Sequence, residues 1–150
     1  MDVVDALLAK LAPLAALVTP NLPEIARLVG RDVPAQREDM TRAGRELCAQ
    51  GAKAVLVKGG HGDGDVMTDV LVTSSFETAF EAPRIATRNT HGTGCTLSSA
   101  IAAGLAHGKT LVDACEAAKR YLTGALEDAD RLSVGRGHGP VNHFSALWWG

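Results

Sequence analysis

The sequence has few aromatic residues and no excess of charge of either sign. Aromatic residues make up 4% of the 150 residues, so a hydrophobic core has to be built from aliphatic side chains. The 15 Lys and Arg against 17 Asp and Glu give a net charge of −2, which argues against a nucleic-acid protein that binds through a broad basic surface. The same balance provides no polybasic anchor for an anionic membrane. The sequence therefore predicts neither a nucleic-acid partner nor a membrane partner.

Cysteines, long apolar runs and targeting signals are also scarce. The three cysteines, Cys48, Cys95 and Cys115, are too far apart for a Cys-x-x-Cys zinc site, and their odd number argues against a disulfide framework. No apolar run is long enough to span a bilayer. The acidic amino-terminal residues lack the basic region of a signal peptide. These absences predict a protein of the reducing cytoplasm.

The alternation of helical and strand-like patterns predicts an α/β fold. Short apolar runs at 15–19 and 54–57 are typical of buried strands. The patterns at 66–74 and 76–82 indicate a strand pair. Helices are predicted at 2–12, 23–29, 34–50, 97–106 and 111–127. With a hydrophobic content of 46% and a one-domain length, the chain can bury a core.

The most informative stretch of the sequence reads Thr-His-Gly-Thr-Gly-Cys-Thr, from Thr90 to Thr96. Gly92 and Gly94 flank Thr93 where a loop becomes a helix, so backbone N–H groups can come close to a ligand. The first turn of a helix leaves N–H donors without partners and carries the positive end of the dipole. Such a turn favours an anion, most often a phosphate, and can stabilise negative charge in a transition state.

Cys95 lies just inside this positive helix end. A helix amino terminus favours the thiolate form of a cysteine, which can accept a proton from a substrate hydroxyl group. The alternative is structural: the glycines make a tight entry to a buried helix, and Cys95 is a small core residue, as free cysteines often are. The local pattern by itself favours neither interpretation.

A second candidate is Thr-Pro-Asn-Leu-Pro-Glu, which follows the first predicted strand. Ligands of open α/β sheets gather at the carboxyl ends of strands. Asn21 and Glu24 there offer the oxygen ligands that Mg²⁺ prefers, either directly or through water. The alternative that the pattern favours is a capping box, in which an N-cap Asn and a Glu three residues later satisfy each other's backbone N–H groups. The two roles are compatible.

Two lysines are further candidates. Lys58, in Lys-Gly-Gly-His after a predicted strand, can neutralise charge on a phosphate during transfer, although lysines at strand ends are usually solvated. Lys119 can line a nucleotide pocket, although a lysine beside an apolar stripe is more often a surface residue with a packed stem. His61 is interpreted as a solvent-facing loop residue. His138 and His143 do not have the spacing of a zinc helix, so no metal is assigned to them.

The sequence has no P-loop, no Gly-x-Gly-x-x-Gly after a strand and no Gly-x-Ser-x-Gly. Four other stretches resemble the hydroxymethylpyrimidine/phosphomethylpyrimidine kinases of thiamine biosynthesis, which belong to the ribokinase-like superfamily. They are Thr-Pro-Asn-Leu-Pro-Glu at 19–24, Val-Lys-Gly-Gly-His at 57–61, Thr-His-Gly-Thr-Gly-Cys-Thr-Leu at 90–97 and Gly-His-Gly-Pro-Val-Asn-His-Phe at 137–144. Each is a weak signal alone, but their combination and order are specific and extend over almost the whole chain.

The resemblance implies an α/β ribokinase-like fold with an open, mostly parallel sheet flanked by helices. It implies transfer of a phosphoryl group from ATP, with Mg²⁺, to the hydroxymethyl group of 4-amino-5-hydroxymethyl-2-methylpyrimidine and then to the resulting monophosphate. It also implies a tendency to form homodimers.

By position, the resemblance assigns roles to the residues of the helix entry. Gly92, Thr93 and Gly94 resemble the anion hole over the transferred phosphoryl group. Cys95 falls where the family has its proposed base. Many sugar kinases of the superfamily have Asp at that position, so a cysteine indicates a pyrimidine kinase or a pyridoxal-kinase-like relative.

The resemblance also covers the candidates outside that turn. Asn21 and Glu24 match the Asn-x-x-Glu motif that the superfamily links to Mg²⁺ and phosphate, with Glu24 acting on the metal directly or through water. Lys58 matches a lysine near the ATP phosphates, and Lys119 matches one near the nucleotide.

The resemblance covers only the carboxyl-terminal half, or slightly more, of such a kinase. In the family, the unmatched amino-terminal part supplies most of the pyrimidine pocket and several central strands. Residues 1–150 are therefore predicted to form a single partial kinase domain that keeps most of the phosphate and nucleotide side of the site. Three functions stay open: a pyrimidine-phosphate kinase, a non-catalytic module that binds nucleotide or phosphate, and a pyridoxal-kinase-like enzyme.

Overall fold

The computed structural model describes residues 3–60 and 64–148, and the chain divides into two compact units at 1–83 and 84–150. His61 lies outside the described residues. The first unit contains the helices α1 (Val3–Ala6, continued by a π-helical turn at Leu7–Leu11), α2 (Leu22–Val29) and α3 (Arg37–Ala49), and the strands β1 (Ala54–Lys58), β2 (Val66–Thr73) and β3 (Glu77–Pro83). Its predicted helices and strands are therefore present, apart from the strand predicted at 15–19.

The three strands form one sheet in the order β1-β2-β3, and both pairings are antiparallel. The mostly parallel sheet that the resemblance implies is therefore not what these strands form. The connections at 59–65 and 74–76 are far shorter than the dozen or so residues that a parallel crossover needs. Short connections of this kind impose antiparallel pairing.

Parallel pairing in the first unit involves the segment that was predicted as the strand 15–19. This segment is extended and joins β1 through two parallel bridges, Val18 to Val55 and Asn21 to Lys58. The Val18 N–H donates to the Ala54 carbonyl at 3.0 Å. The prediction was right that this segment pairs with the sheet and wrong about a continuous strand.

The helices of the first unit pack against one face of the sheet. This face presents four fully buried valines, Val55, Val57, Val70 and Val72, to a core that includes Ile25 from α2 and three α3 residues, Met40, Ala43 and Leu47. Leu56 and Leu71 point to the opposite face and are buried as well. Because both faces are covered, β1 is a continuous apolar run and does not alternate.

The second unit is helical. It consists of α4 (Thr93–Ala106), α5 (Leu111–Glu127), a 3₁₀-helix at Ala129–Arg131 and α6 (Ser145–Trp148). Helix α5 has its predicted bounds, but α4 begins at Thr93 and not at Leu97. None of the described helices has both the length and the apolar content that a membrane crossing requires.

Small residues bring α4 and α5 close together. The buried residues of α5 are Ala114, Cys115, Ala118 and Ala125. A Cβ atom added at Gly104 of α4 would lie 3.1 Å from the Cβ of Ala114, so the glycine allows this close approach. The leucines of α5, Leu111, Leu122 and Leu126, are half-buried.

Two helix glycines should respond in opposite ways to a Cβ atom. In Gly44→Ala the new atom would lie 2.8 Å from Cγ2 of the fully buried Val72, and overpacking of this kind destabilises a core by about 1–3 kcal/mol. In Gly124→Ala the nearest atom is Ser145 Oγ at 4.0 Å, so the higher helix propensity of alanine should stabilise the protein by about 0.5–1 kcal/mol. Urea unfolding measures both changes. Two shifts of the same sign would contradict this account of the packing.

Candidate functional site

The turn that leads into α4 has the geometry of an anion site. Gly92 is the N-cap with a left-handed φ of 87°, and its α-carbon has open space on the side where a Cβ would lie. The Thr96 N–H donates to the Gly92 carbonyl at 2.8 Å, which closes the first helical turn. Within the described parts of the chain, the N–H groups of Gly94 and Cys95 have no hydrogen-bond acceptor. Two adjacent donors are therefore available at the positive end of a 14-residue helix.

Cys95 is the third residue of α4, in the same turn as these donors, and its side chain is exposed. The structural alternative required a small residue buried in the helix core, which this exposure contradicts. The helix buries its neighbours Thr96 and Leu97 instead. The thiol is therefore available to a molecule bound at the turn.

The first unit brings together three of the other candidates. Asn21 and Lys58 are bridge partners at the carboxyl ends of the extended segment and β1. The Lys58 N–H donates to the Pro20 carbonyl at 2.9 Å. Glu24 lies in the first turn of α2, which starts at this point. An amide, a carboxylate and an ammonium group thus share one end of the sheet.

Asn21 and Glu24 form the capping box that the sequence favoured. The Asn21 N–H donates to Glu24 Oε2 at 2.7 Å, and the Glu24 N–H donates to Asn21 Oδ1 at 2.8 Å. Pro23 in the first turn needs no N–H partner, which suits the start of a helix. Glu24 is exposed, and its Oε1 accepts no hydrogen bond from the described residues. One carboxylate oxygen therefore remains for a ligand while the cap is intact.

Asp69 is a residue of this region that sequence reasoning missed. It lies opposite Lys58 in the register of β1 and β2, and only 6% of its surface is exposed. Its Oδ1 accepts a hydrogen bond from the Gly59 N–H at 3.0 Å. A Cβ at Gly59 would collide with the Thr68 carbonyl oxygen. Asp69 and Gly59 together fix the turn that follows Lys58, and an acidic residue inside an apolar strand was the signal available in the sequence.

The carboxyl-terminal stretch of the second unit, at 137–144, forms hydrogen bonds with the residues that precede the α4 turn. His91 forms a parallel bridge with Pro140, and its N–H donates to the Gly139 carbonyl at 3.1 Å. The Asn89 side chain accepts from the Gly139 N–H at 3.1 Å and donates to the Ala129 carbonyl at 3.0 Å. The role of this stretch was not visible in the sequence, because the contacts join residues about 50 positions apart.

The candidate residues are thus divided between the two units. Asn21, Glu24 and Lys58 belong to the first unit, and the turn at 92–95 belongs to the second. Lys119 is also in the second unit, half-buried on α5, where its carbonyl accepts a hydrogen bond from the Thr123 hydroxyl at 3.0 Å. In the part of the chain that the structure describes, no group of three or more His, Cys, Asp or Glu residues could hold a metal ion.

Comparison with known proteins identifies the family. The sequence model of the phosphomethylpyrimidine kinase family matches residues 1–142. The chain belongs to this family. The family predicted from the four sequence stretches is therefore confirmed.

Two curated relatives are kinases of this family and are about twice as long as the chain. A hydroxymethylpyrimidine/phosphomethylpyrimidine kinase of Rhizobium meliloti is 51% identical over 148 residues, which cover 99% of this chain and 55% of the relative. The Escherichia coli kinase of the same name is 48% identical, with 97% and 54% covered. The chain spans about half the length of the curated relatives it matches.

Solved structures of vitamin kinases share the fold. A Bacillus subtilis pyridoxal kinase in complex with ADP is 35% identical and superposes with a TM-score of 0.89, over 97% of this chain and 54% of that one. A Staphylococcus aureus pyridoxal kinase in complex with AMP-PCP and pyridoxal is 30% identical, with a TM-score of 0.90 and the same coverage. The ribokinase-like α/β class is therefore confirmed, in partial form.

The three cysteines should differ in reactivity. Cys95 is exposed, Cys115 is buried, and burial raises the pKa of the Cys48 thiol, which donates to the Val72 carbonyl. A raised pKa lowers the thiolate fraction at any given pH, and the thiolate is the reactive form. Iodoacetamide at pH 8 should therefore modify Cys95 first, Cys48 only as the pH is raised further, and Cys115 only on unfolding. Peptide mass spectrometry measures the order, and equal labelling of Cys48 and Cys95 at pH 8 would contradict it.

Proposed function

We propose that this chain carries the phosphate and nucleotide side of a kinase that transfers the terminal phosphoryl group of ATP to hydroxymethylpyrimidine and to its monophosphate, in thiamine biosynthesis. The observation that carries the proposal is the exposed Cys95 thiol in the same helical turn as two unpartnered N–H groups. We also propose that residues 1–150 belong to a single partial kinase domain. The cysteine pattern supports a cytoplasmic location.

The α4 turn is suited to bind the phosphoryl group while it is transferred. The N–H groups at Gly94 and Cys95 are fixed before a ligand arrives, so they can stabilise negative charge without reorganising. Gly92 and Thr93 complete the anion hole as the cap and first residue of the helix. The Cys95 thiolate accepts the proton of the acceptor hydroxyl as the hydroxyl oxygen attacks the terminal phosphorus atom of ATP, and the bond from that phosphorus to ADP breaks, so that ADP leaves. Phosphoryl transfer needs little more from a protein than such positioning and charge stabilisation.

The cluster of the first unit suits the charged groups of the nucleotide. Magnesium ions at nucleotides are usually held by one or two carboxylates, by phosphate oxygens and by water. Glu24 supplies one such carboxylate, and its free oxygen fits a metal or a metal-bound water while Asn21 keeps the helix capped. Mg²⁺ held there would neutralise phosphate charge. Lys58 adds a positive charge at the same sheet end, and Lys119 is assigned to the nucleotide.

Two other functions are alternatives to this proposal. The two superposed structures described above are pyridoxal kinases, which makes pyridoxal the alternative acceptor. The second alternative is a module that binds nucleotide without turnover, because no candidate residue among these 150 is assigned to the ring of the acceptor. The pyrimidine acceptor is preferred because sequence identity is higher to the pyrimidine kinases than to the pyridoxal kinases. We also propose that the chain forms a homodimer, as the resemblance to the family implies.

Replacement of Cys95 should separate catalysis from binding. In Cys95→Ala, the rate of phosphorylation of hydroxymethylpyrimidine should fall by about 10²–10⁴-fold, because a general base contributes that much. The affinity for ATP·Mg²⁺ should change less than threefold, since the backbone donors remain. Turnover is followed by ³¹P NMR, and binding by calorimetric titration.

Cys48→Ala is the matched control, because Cys48 is a half-buried cysteine whose thiol donates to the Val72 carbonyl and is not a candidate site residue. Unchanged turnover in Cys95→Ala would remove the assignment of the base. Nucleotide binding by the unmodified chain without turnover on either acceptor would support the non-catalytic module. Faster turnover on pyridoxal than on the pyrimidine would support the alternative acceptor.

Glu24→Gln should separate the metal role from the cap. A glutamine side-chain oxygen can still accept from the Asn21 N–H, so the free energy of unfolding should change by less than about 0.5 kcal/mol. The lost negative charge should raise the Kd for ATP·Mg²⁺ severalfold, while the Kd for metal-free ATP should not rise. Glu24→Ala, which removes both functions, should also destabilise the protein by about 1 kcal/mol. An unchanged Kd for ATP·Mg²⁺ in Glu24→Gln would contradict the metal role of Glu24 and would support only its role in the capping box.

A further inference from the structure

We propose that His143 is a positioning residue for the α4 turn, and that it holds the first turn of the helix through the hydroxyl of Thr96. The inference rests on the proposed function in one respect, namely that the turn binds a phosphate group. The contact joins two of the four sequence stretches, the one that contains Cys95 and the carboxyl-terminal Gly-His-Gly-Pro-Val-Asn-His-Phe, to which no role has been assigned.

Thr96 is the point at which the turn is closed. It follows Cys95 directly, and its N–H donates to the Gly92 carbonyl at 2.8 Å. Its side chain is 7% exposed, and a buried hydroxyl group needs a partner. That partner is Nε2 of His143 at 2.9 Å. The imidazole therefore contacts the residue whose backbone closes the turn around Thr93, Gly94 and Cys95.

The backbone on either side of His143 is itself anchored to α5. Its carbonyl accepts a hydrogen bond from the Tyr121 hydroxyl at 2.8 Å. The preceding residue, Asn142, is fully buried, and its N–H donates to the Ala125 carbonyl at 2.9 Å. Because the main chain is fixed on α5, the imidazole is a defined link from α5 to the first turn of α4.

The same stretch also holds the residue before the turn. The His91 N–H donates to the Gly139 carbonyl at 3.1 Å, and the Val141 N–H donates to the His91 carbonyl at 3.4 Å. The stretch thus contacts the chain on both sides of the turn, through His91 before it and Thr96 after it. A site that stabilises developing charge depends on donors held in place by such supporting contacts. Of these two contacts, only the one through His143 uses a side chain, so it can be removed by substitution.

The experiment compares His143→Ala with His143→Gln in the complete 150-residue chain. Loss of a neutral hydrogen bond is worth roughly a fivefold change in an equilibrium, so amide exchange at Thr96 should speed up at least fivefold in His143→Ala. The Kd for ATP·Mg²⁺ should rise by a similar factor. Both should return to within twofold of the unsubstituted protein in His143→Gln, since a glutamine amide can donate to the Thr96 hydroxyl. Exchange is measured by ¹⁵N NMR and binding by calorimetry.

His107→Ala is the matched control, because His107 is an exposed histidine at the other end of α4. Should His143→Ala fail to fold, Thr96→Val removes the same hydrogen bond from the other partner and should give the same fivefold change in exchange nearby, at Cys95 and Leu97. Exchange unchanged in both variants, or no rescue by His143→Gln, overturns the positioning role. If exchange responds and is rescued while ATP·Mg²⁺ binds to none of the proteins, the positioning role is supported and the proposed function fails.

Discussion

The structure depends for its chemistry on a helix that starts without a side-chain cap. A Ser, Asp or Asn at the position of Gly92 would accept one of the free N–H groups and so compete with a ligand. Glycine in the left-handed conformation starts the helix and leaves those donors unpartnered, at a cost in helix stability. Helix α2 shows the contrast, because Asn21 and Glu24 satisfy each other's backbone groups at its start. Helices α2 and α5 start with a side-chain cap, whereas α3 and α4 do not, and the proposed anion site lies at the uncapped start of α4.

The capping box does not exclude a metal role, and its geometry explains why both can hold. A carboxylate has about four acceptor directions, and the cap uses one of them. The cap also fixes the side chain, so a ligand at Glu24 meets a carboxylate that has already lost its rotamer freedom. Asn21 is the bridge partner of Lys58, so a positively charged residue lies on the strand next to the capping box. Local structure and ligand binding therefore support each other at this sheet end.

The sequence predicted what depends on neighbouring residues. The capping box and the bounds of α5 follow from local spacing, and Gly92 and Gly94 marked the entry to α4 although the helix was predicted to begin at Leu97 and begins at Thr93. The features that the sequence did not predict are hydrogen bonds between residues far apart in the chain. The Gly59 N–H donates to Asp69, and the Thr96 hydroxyl pairs with His143, 47 positions away. The pairing of β2 with β3 was predicted from their adjacent strand patterns. The resemblance implied a mostly parallel sheet, and in the described residues of the first unit parallel pairing occurs at the bridges of Val18 and Asn21 with β1.

The roles proposed for these residues concern the phosphates and the rest of the nucleotide, a metal or a proton, and none concerns the ring of the acceptor. Transfer needs the acceptor hydroxyl in line with the phosphorus atom, and a displacement of about 1 Å can cost on the order of 10²-fold in rate. Binding of nucleotide does not need that alignment. Nucleotide affinity is therefore the property that this chain's own geometry determines, whereas turnover also requires groups that hold the pyrimidine. For that reason the anion site and the kinase activity have to be measured separately, and a chain that binds ATP without turnover would still retain the α4 turn as a working phosphate site.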